Sequence, residues 1–239
     1  MKYPGNITGP QFANSDLLEF TFKGAELTLP LPEIPANDRR VDDVSTIKDF
    51  SEVDTESWER SSDNSPCYTL VTQKWNFEDA KTFDDIASCW FEVTLMEVPG
   101  EMQESLSVLS PSLLKKYLIE SFSKALEYEK DEHLEEPDWP KAHNSFNYKC
   151  IKRSSLDWMQ IQVCFSTDSQ PSPLAFIPID RRFVLSISFH MSSMHYADRK
   201  NPYSDELIRQ LEFDLFDEYL QNINLRYTAE TRQQIKSVC

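Results

Sequence analysis

Alternation of apolar and polar residues is the feature that most restricts the fold of this chain. It runs through three stretches: WFEVTLMEV at 90–98, WMQIQVCF at 158–165 and RFVLSISFHM at 182–191. In the first stretch, Phe91, Val93 and Leu95 fall on one face. Glu92 and Thr94 fall on the other. Because successive side chains of a strand point to opposite faces, this pattern predicts half-buried strands of an antiparallel sheet.

Two more strands are predicted from β-branched and aromatic runs, CYTLVTQKWNF at 67–77 and FNYKCIKR at 146–153. The segment between 67–77 and 90–98 is expected to be a long hairpin loop or one helical turn. Upstream of these runs, residues 37–65 are polar and acidic, which is typical of a connector. A short helix is expected within that connector at 44–50.

A hairpin is predicted near the N-terminus, where Lys23 and Gly24 separate two strand-like runs at 17–22 and 25–31. The prolines at 30, 32 and 35 are expected to end the second run. Because proline has no N–H to donate to a sheet, we also expect this strand to lie at an edge.

Two long helices are predicted from their N-terminal caps and apolar stripes. Ser110 and Pro111 suit the N-cap and the first position of one helix, and Ser204 suits the N-cap of the other. The stripe of the first helix comprises Leu113, Leu114, Tyr117, Leu118, Phe122 and Leu126. The stripe of the second comprises Leu207, Ile208, Leu211, Leu215, Tyr219, Leu220 and Ile223.

The order of elements is therefore hairpin, acidic connector, two strands, helix, three strands, helix. It predicts an α+β fold, a mostly antiparallel β-sheet with an N-terminal hairpin, flanked by two main helices. We expect a single α/β domain at 17–227 that includes the connector at 37–65. A flexible N-terminal arm at 1–16 and a C-terminal tail at 228–239 are expected to lie outside that domain.

This order resembles the PsbP/Mog1-like α/β sandwich. Two stretches are similar to that group: FKGAELTLP at 22–30, and the closing strand–helix pair FVLSISF and SDELIRQLEFDLFDEYLQNI. The resemblance implies the fold, and the group consists of non-enzymatic binders such as GTPase partners, photosystem subunits and secretion chaperones. The Mog1 branch would continue into an aspartate-centred Ran-binding segment, which residues 36–50 do not reproduce. No functional residue therefore follows from the resemblance.

Charge restricts the partners of this chain. With 24 basic and 40 acidic residues the net charge is −16, which disfavours nucleic acid and anionic membrane surfaces and favours a basic protein. The two small basic clusters, YKCIKR at 148–153 and DRR at 180–182, are interpreted as strand-end salt bridges. The sequence contains no long apolar run and no apolar N-terminal segment, so a cytoplasmic location is expected. The oligomeric state stays open.

Cysteine usage supports the same location. The five cysteines are odd in number and lack C-x-x-C spacing: Cys67, Cys89, Cys150, Cys164 and Cys239. We interpret them as reduced thiols that are mostly buried. Burial in apolar strands would raise their pKa, which is the wrong direction for a nucleophile.

Catalytic motifs are absent from the sequence. There is no G-x-S-x-G elbow and no glycine-rich phosphate loop, and the chain has only four glycines. The one close histidine pair, His190 and His195, matches no metal-binding pattern. We therefore predict no catalytic residue, no metal and no cofactor. The alternative that stays open is an enzyme whose site is assembled in space from His190, His195 and a buried cysteine or carboxylate.

One stretch, LEYEKDEHLEEPDWPKAH at 126–143, places seven carboxylates around Lys130, followed by Trp139 between two prolines. Carboxylates around an exposed aromatic residue are typical of binding surfaces, because charge steers encounter and the ring supplies contact energy. The predicted partner contacts are Glu127, Glu129, Asp131, Glu132, Glu135, Glu136 and Trp139, together with Trp58 of the acidic connector. The alternative is a solvated helix end, with each tryptophan packed under a loop.

These observations favour a non-enzymatic, acidic protein-binding module. Its most concrete form is a bacterial immunity protein that occludes a cognate toxin or secreted effector, which we expect to be basic. A Mog1-like chaperone or GTPase-binding cofactor is the nearest alternative, and the enzyme described above is the second.

Overall fold

The computed structural model describes residues 3, 5–33, 41–61, 64–104, 107–129, 146–163, 172–194 and 203–238. In those residues the strands are β1 (Ile7–Thr8), β2 (Gln11–Thr21), β3 (Ala25–Glu33), β4 (Val41–Val44), β5 (Glu59–Arg60), β6 (Pro66–Asp79), β7 (Asp85–Glu97), β8 (Phe146–Arg153), β9 (Leu156–Val163), β10 (Ser172–Pro178), β11 (Phe183–Ser193) and β12 (Asn224–Tyr227). The helices are α1 (Gly100–Glu104), α2 (Pro111–Glu129), α3 (Asp205–Asn222) and α4 (Ala229–Val238), with a 3-10 turn at Ser107–Leu109.

A large antiparallel sheet dominates the structure. Its strand order is β1-β6-β7-β11-β10-β9-β8, and β4 and β5 also pair with β6. All these pairings are antiparallel. The predicted α+β fold with a mostly antiparallel sheet is therefore confirmed.

The N-terminal hairpin forms a second, smaller sheet with strand order β12-β3-β2. The hairpin prediction is confirmed, since β2 and β3 pair on either side of Lys23 and Gly24. The prolines do not end the strand, because β3 continues through Pro30 and Pro32 to Glu33. The expectation that this strand lies at an edge is wrong, because β3 is the central strand of its sheet. Pro30 and Pro32 lie beyond Ala25–Thr28, the part of β3 that β12 covers, so one side of the strand is open where they lie. Pro35 is outside the described residues.

The two sides of the large sheet are covered differently. On the first side, α3 and the small sheet bury an aromatic core that includes Phe91, Phe189 and Tyr219. On the second side, α2 packs over β9 and β10, and its smaller core reaches Val184 and Met96 at the border. The rest of the second side carries polar residues.

The helix starts follow the sequence. The hydroxyl of Ser204 accepts a hydrogen bond from the backbone N–H of Leu207 at 3.3 Å and caps α3. The first N–H groups of α2 reach back to the carbonyl of Ser110, and Pro111 is its first residue. The N-cap predictions for both long helices are confirmed.

The basic clusters behave as the sequence predicts. Arg153 lies at the end of β8, and its guanidinium is 2.8 Å from the carboxylate of Asp217 on α3. Arg182 precedes β11 and lies 2.9 Å from the carboxylate of Glu97. Both arginines therefore join neighbouring elements as strand-end salt bridges.

The structure differs from two expectations at the ends of the domain. Residues 7–8 and 11–16 of the expected arm belong to strands, because Ile7 and Phe12 are buried and anchor them. The expected tail contains α4, whose N-terminus is capped by Thr228 through a 3.2 Å bond from the Thr231 N–H.

The helix expected at 44–50 is also absent. Val44 pairs with Val71 instead, and the N–H of Phe50 donates to the carbonyl of Thr21 at 2.7 Å. Buried Phe50 stacks on Phe22. The segment thus links the two sheets, and these tertiary contacts override its helical pattern.

The sequence also missed a strand, β10. Its run SPLAFIP does not alternate, because Ala175, Phe176 and Ile177 are all buried between the helices on both sides of the sheet. A strand that is buried on both faces has no polar face to reveal it.

Candidate functional site

The second side of the large sheet presents an exposed surface that we call the open face. It comprises Thr72, Lys74 and Asn76 of β6, Ser88, Trp90, Glu92 and Thr94 of β7, and Ser186, Ser188, His190 and Ser192 of β11. The strand registers place these residues in cross-strand rows, such as Lys74–Trp90–His190. All of them are half-buried or exposed. Polar groups therefore cover this face, except at one position.

Trp90 is that position. Its side chain is 46% exposed, whereas the adjacent Phe91 on the other face of β7 is fully buried. Beside it, the carboxylate of Glu92 accepts hydrogen bonds from the hydroxyls of Thr94 at 2.7 Å and Thr69 at 3.2 Å. A large aromatic ring thus lies among fixed hydrogen-bonding groups on a strand-built surface.

His190 neighbours Trp90 on the open face and contacts two hydroxyls. Its Nδ1 lies 3.0 Å from Ser172 Oγ, and its Nε2 lies 3.3 Å from Ser192 Oγ. The hydroxyl of Ser172 also bonds to the carboxylate of Glu212. A chain of hydrogen bonds therefore runs from Ser192 on the surface to a carboxylate in the interior.

Glu212 is the buried end of this chain. It lies on α3, is 4% exposed, and accepts a 2.8 Å hydrogen bond from the backbone N–H of Met191. Pairing between β10 and β11 ends at Leu174 and Ser188, so Met191 lies past the paired part and Glu212 supplies its acceptor. Burial raises the pKa of Glu212 to about 7, against the opposing effect of the Met191 and Ser172 hydrogen bonds.

α2 packs on the same side of the large sheet as the open face, over β9 and β10. Near its start, Leu114 lies close to Met159, and further along the ring of Phe122 packs on Phe176 at 5.8 Å.

The structure describes only part of the predicted contact set. Glu127 and Glu129 lie in the last turn of α2. Asp131, Glu132, Glu135, Glu136 and Trp139 lie outside the described residues. Their role as partner contacts stays a prediction.

Trp58 does not match the exposed aromatic of the prediction. It is 7% exposed, stacks on Phe183 with ring centroids 5.7 Å apart, and packs against Phe50 and Tyr68. The alternative reading, a tryptophan packed under a loop, is the one that agrees with its position.

The histidines and cysteines follow the sequence in part. His190 lies on the polar face of its strand, and His195 is outside the described residues. Cys89 is buried as expected, and burial is the main cause that raises the pKa of its thiol, with Glu212 adding to it. Cys150 is exposed, contrary to the expectation, because it lies on the edge strand β8. Cys67 is half-buried, and Cys164 and Cys239 are outside the described residues.

The described residues contain no group of three or more histidine, cysteine, aspartate or glutamate side chains that could hold a metal ion. None of the described helices has the length and apolar character that a membrane-crossing helix requires. The open face therefore offers hydrogen bonds, an aromatic surface and one histidine as its chemistry.

Two exposed aromatics were missed at the sequence level. Trp90 could have been found, because the alternation that places Phe91 inside also places Trp90 beside Glu92 on the outer face. Phe83, which is 70% exposed in the turn between β6 and β7, gave no such signal.

Comparison with protein-family models, with curated proteins and with solved structures finds no match for this chain.

Proposed function

We propose that this chain is a non-enzymatic protein-binding module whose contact surface is the open face. The observation that carries the proposal is Trp90, a half-exposed ring at the centre of a polar, strand-built surface. The exposed part of this ring is apolar surface that a partner can bury, and tryptophan is among the residues that most often dominate binding energy at interfaces. The hydroxyls and the fixed Glu92 carboxylate around it supply the hydrogen bonds of a polar rim.

Charge supports a basic partner. The chain carries a net charge of −16, and α2, whose last turn holds Glu127 and Glu129, packs on the same side of the large sheet as the open face. Carboxylates beside a contact surface raise the association rate of a basic protein through long-range attraction. In this proposal the acidic stretch steers the partner and Trp90 anchors it.

The most concrete form is a bacterial immunity protein that covers the active site of a basic toxin. A Mog1-like chaperone or GTPase-binding cofactor would use the same kind of surface without blocking catalysis. An assay of the purified partner separates the two, because an immunity protein abolishes the partner's activity at equimolar concentration and a chaperone leaves it intact.

The proposal is tested by capture of partners from the native cells, with wild-type protein and two variants compared. Trp90→Ala is expected to lose the captured protein, since truncation of an anchor tryptophan costs about 2 kcal/mol or more of binding energy. Leu113→Ala, an exposed apolar residue on α2, is the matched control and should capture normally. Equal capture by both variants would contradict the assignment of the open face.

The acidic stretch is tested separately by kinetics with the captured partner. Charge reversal of Glu132, Glu135 and Glu136 should slow association and leave dissociation nearly unchanged, and added salt should have the same effect. An association rate that is insensitive to salt would contradict electrostatic steering and leave the role of Trp90 standing.

A second candidate function is an enzyme, and the hydrogen-bond chain at His190 favours it. When Glu212 is ionised, Ser172 donates to it and accepts from Nδ1–H of His190, which leaves Nε2 as a base 3.3 Å from Ser192 Oγ. A serine beside an oriented histidine is the arrangement of nucleophilic catalysis. A fluorophosphonate probe discriminates: an enzyme would be labelled at Ser192 with loss of fluoride, Ser192→Ala would abolish labelling, and Ser188→Ala would not.

A further inference from the structure

His190 is the residue of the open face whose hydrogen-bonding character depends on a choice between two states. It lies on β11, directly across from Trp90 of β7. Its Nδ1 is 3.0 Å from the hydroxyl oxygen of Ser172, and its Nε2 is 3.3 Å from that of Ser192, which is exposed. A neutral imidazole has one nitrogen that donates and one that accepts. The partner of Nδ1 therefore decides what Nε2 offers to a ligand.

Ser172 determines which nitrogen of His190 carries the proton. The hydroxyl of Ser172 bonds to the carboxylate of Glu212. An ionised carboxylate can only accept, so the hydroxyl must donate to it. The oxygen of Ser172 is then the acceptor for Nδ1–H of His190. Since Nδ1 holds the proton, Nε2 on the open face is an acceptor.

The charged and titratable groups around Glu212 agree with an ionised carboxylate above pH 7. Burial raises the pKa of Glu212 to about 7, and the hydrogen bonds from Met191 and Ser172 and the charge of Arg209 oppose that rise. Cys89 of β7 also interacts with Glu212. Burial is the main cause that raises the pKa of this thiol, with Glu212 adding to it, so the thiol stays neutral. At pH 8, Glu212 is therefore mainly ionised.

Two further groups lie beside this acceptor. Trp90 is 46% exposed, and Glu92 follows it on the same face of β7. A guanidinium can use both groups and the acceptor, because it stacks flat on an aromatic ring and presents N–H donors in its own plane. Lys74 lies across Trp90 from His190, so repulsion between like charges directs the guanidinium to the His190 side of the ring.

We infer that the open face binds an arginine side chain of a basic partner, with the guanidinium stacked on Trp90 and one of its N–H groups donated to His190 Nε2. This inference names the partner chemistry of the proposed function and rests on it. Ser172 and Glu212 do not touch the arginine. They are positioning residues that keep Nε2 available as an acceptor. A lysine ammonium is a point charge and lacks the planar group that stacks and donates at once.

The proton assignment is tested without any partner. Nitrogen NMR of the histidine rings at pH 8 distinguishes the two neutral tautomers, and His190 is expected to be the Nδ1–H form. Ser172→Ala removes the acceptor of Nδ1–H and should convert His190 to a mixture of tautomers. Ser188→Ala, on the same face of β11, is the matched control and should leave the tautomer unchanged. An Nε2–H form of His190 in the wild-type protein would overturn the inference.

Guanidinium binding is tested with two peptides of equal charge, acetyl-Gly-Arg-Gly-amide and acetyl-Gly-Lys-Gly-amide, at pH 8. NMR titration that follows the Trp90 indole and the His190 ring measures both affinities. The arginine peptide should bind at least about threefold more tightly, a ratio within reach of one net hydrogen bond. Ser172→Ala should weaken its binding about two- to fivefold, since only the acceptor tautomer binds, and Ser188→Ala should not. Equal affinities for the two peptides, or unchanged binding in Ser172→Ala, would refute the inference.

Failure of this inference and failure of the proposed function give different results. If neither peptide shifts Trp90 and His190 but Trp90→Ala still loses the captured protein, the arginine assignment is wrong and the open face remains the contact surface. If the arginine peptide binds as expected but Trp90→Ala captures its partner normally, the arginine assignment stands and the proposed role of Trp90 in capture is wrong.

Discussion

The two sides of β7 show how this chain separates stability from surface chemistry. On one side the ring of Phe91 contacts Trp75, Phe189 and Tyr219, with centroids between 4.6 and 5.0 Å apart. On the other side, one residue earlier, Trp90 is half-exposed among hydroxyl groups. The same strand thus supplies a ring of the aromatic core and the exposed ring of the open face. Aromatic content alone does not distinguish these roles, whereas position in the alternation does.

The largest expected effect comes from substitution of these two neighbours. Phe91→Ala should lower the free energy of unfolding by about 3–5 kcal/mol, because it leaves a cavity among packed rings. Trp90→Ala should lower it by less than about 1 kcal/mol, since the ring is half-exposed and creates no cavity. Denaturant unfolding of both variants measures the difference. Similar losses of unfolding free energy in the two variants would mean that Trp90 supports the fold as Phe91 does. The two sides of β7 would then not differ in role.

A second prediction concerns Glu212, which connects the two sides through the Met191 N–H and Ser172. Its pKa is raised to about 7 from an ordinary 4.5, so the folded protein keeps this proton to higher pH than the unfolded chain does. Its contribution to stability is therefore complete below pH 4.5 and is lost as pH rises through 7. Glu212→Gln, which stays neutral and keeps the acceptor oxygen, should be more stable than wild type at pH 8 by up to about 3 kcal/mol, with no gain at pH 4.5.

The control for that prediction is Asp214→Asn, an exposed carboxylate on the same helix. It should change stability by only a few tenths of a kcal/mol, as surface substitutions usually do, and with no comparable pH dependence. Unfolding curves at pH 5, 6, 7 and 8 measure the stability difference between each variant and wild type. A constant difference between Glu212→Gln and wild type across this range would show that Glu212 does not carry the proton.

A third prediction concerns the joint between the small sheet and the large one. A Cβ on Gly24 would lie 2.5 Å from Asp180 Cβ and 2.7 Å from Thr231 Oγ1, and Asp180 is fixed by bonds from the Arg182 and Phe183 N–H groups. Gly24→Ala should therefore cost about 1–3 kcal/mol through overpacking. Gly100→Ala, where nothing lies within 4 Å of the added atom, should be neutral or slightly stabilising in the same melting experiment. Equal stability changes in Gly24→Ala and Gly100→Ala would mean that the two sheets can move apart near Gly24 to accommodate the added atom.

The sequence predicted the fold wherever local pattern and tertiary environment agree. Alternation of apolar and polar residues predicts strands with one buried face, and N-caps with apolar stripes predict helices. These patterns predicted β7, β11, α2 and α3. The strand β10 is buried on both sides and shows no alternation. The helix α4 has a threonine cap, but its apolar stripe is sparse and few contacts hold it. Its sequence therefore shows no pattern that predicts a helix.

The candidate site was less predictable, because exposure is a property of packing. Trp58 lies in mixed sequence, and only the fold places its ring on Phe183. Alternation puts Trp90 on the outer face of its strand, but only the fold leaves that part of the face exposed. The contact of Ser172 with His190 spans 18 residues, and that of Ser172 with Glu212 spans more. Long-range contacts of this kind leave no local periodicity.

The smallest expected effect concerns Phe83, a second exposed aromatic, in the turn beyond one end of the open face. Its φ of 58° is unfavourable for a bulky side chain, yet the turn is held by Asp79, which accepts bonds from the Lys81 and Thr82 N–H groups and from the Tyr203 hydroxyl. Phe83→Gly should therefore raise the free energy of unfolding by about 0.5–1 kcal/mol, because glycine adopts this conformation without strain. Thr82→Gly, where φ is not positive, should lower it in the same denaturant titration. If the ring of Phe83 belongs to the proposed contact surface, Phe83→Gly should also weaken partner capture. A variant that is more stable and captures normally would confine the contact surface to the ring of Trp90 and its neighbours.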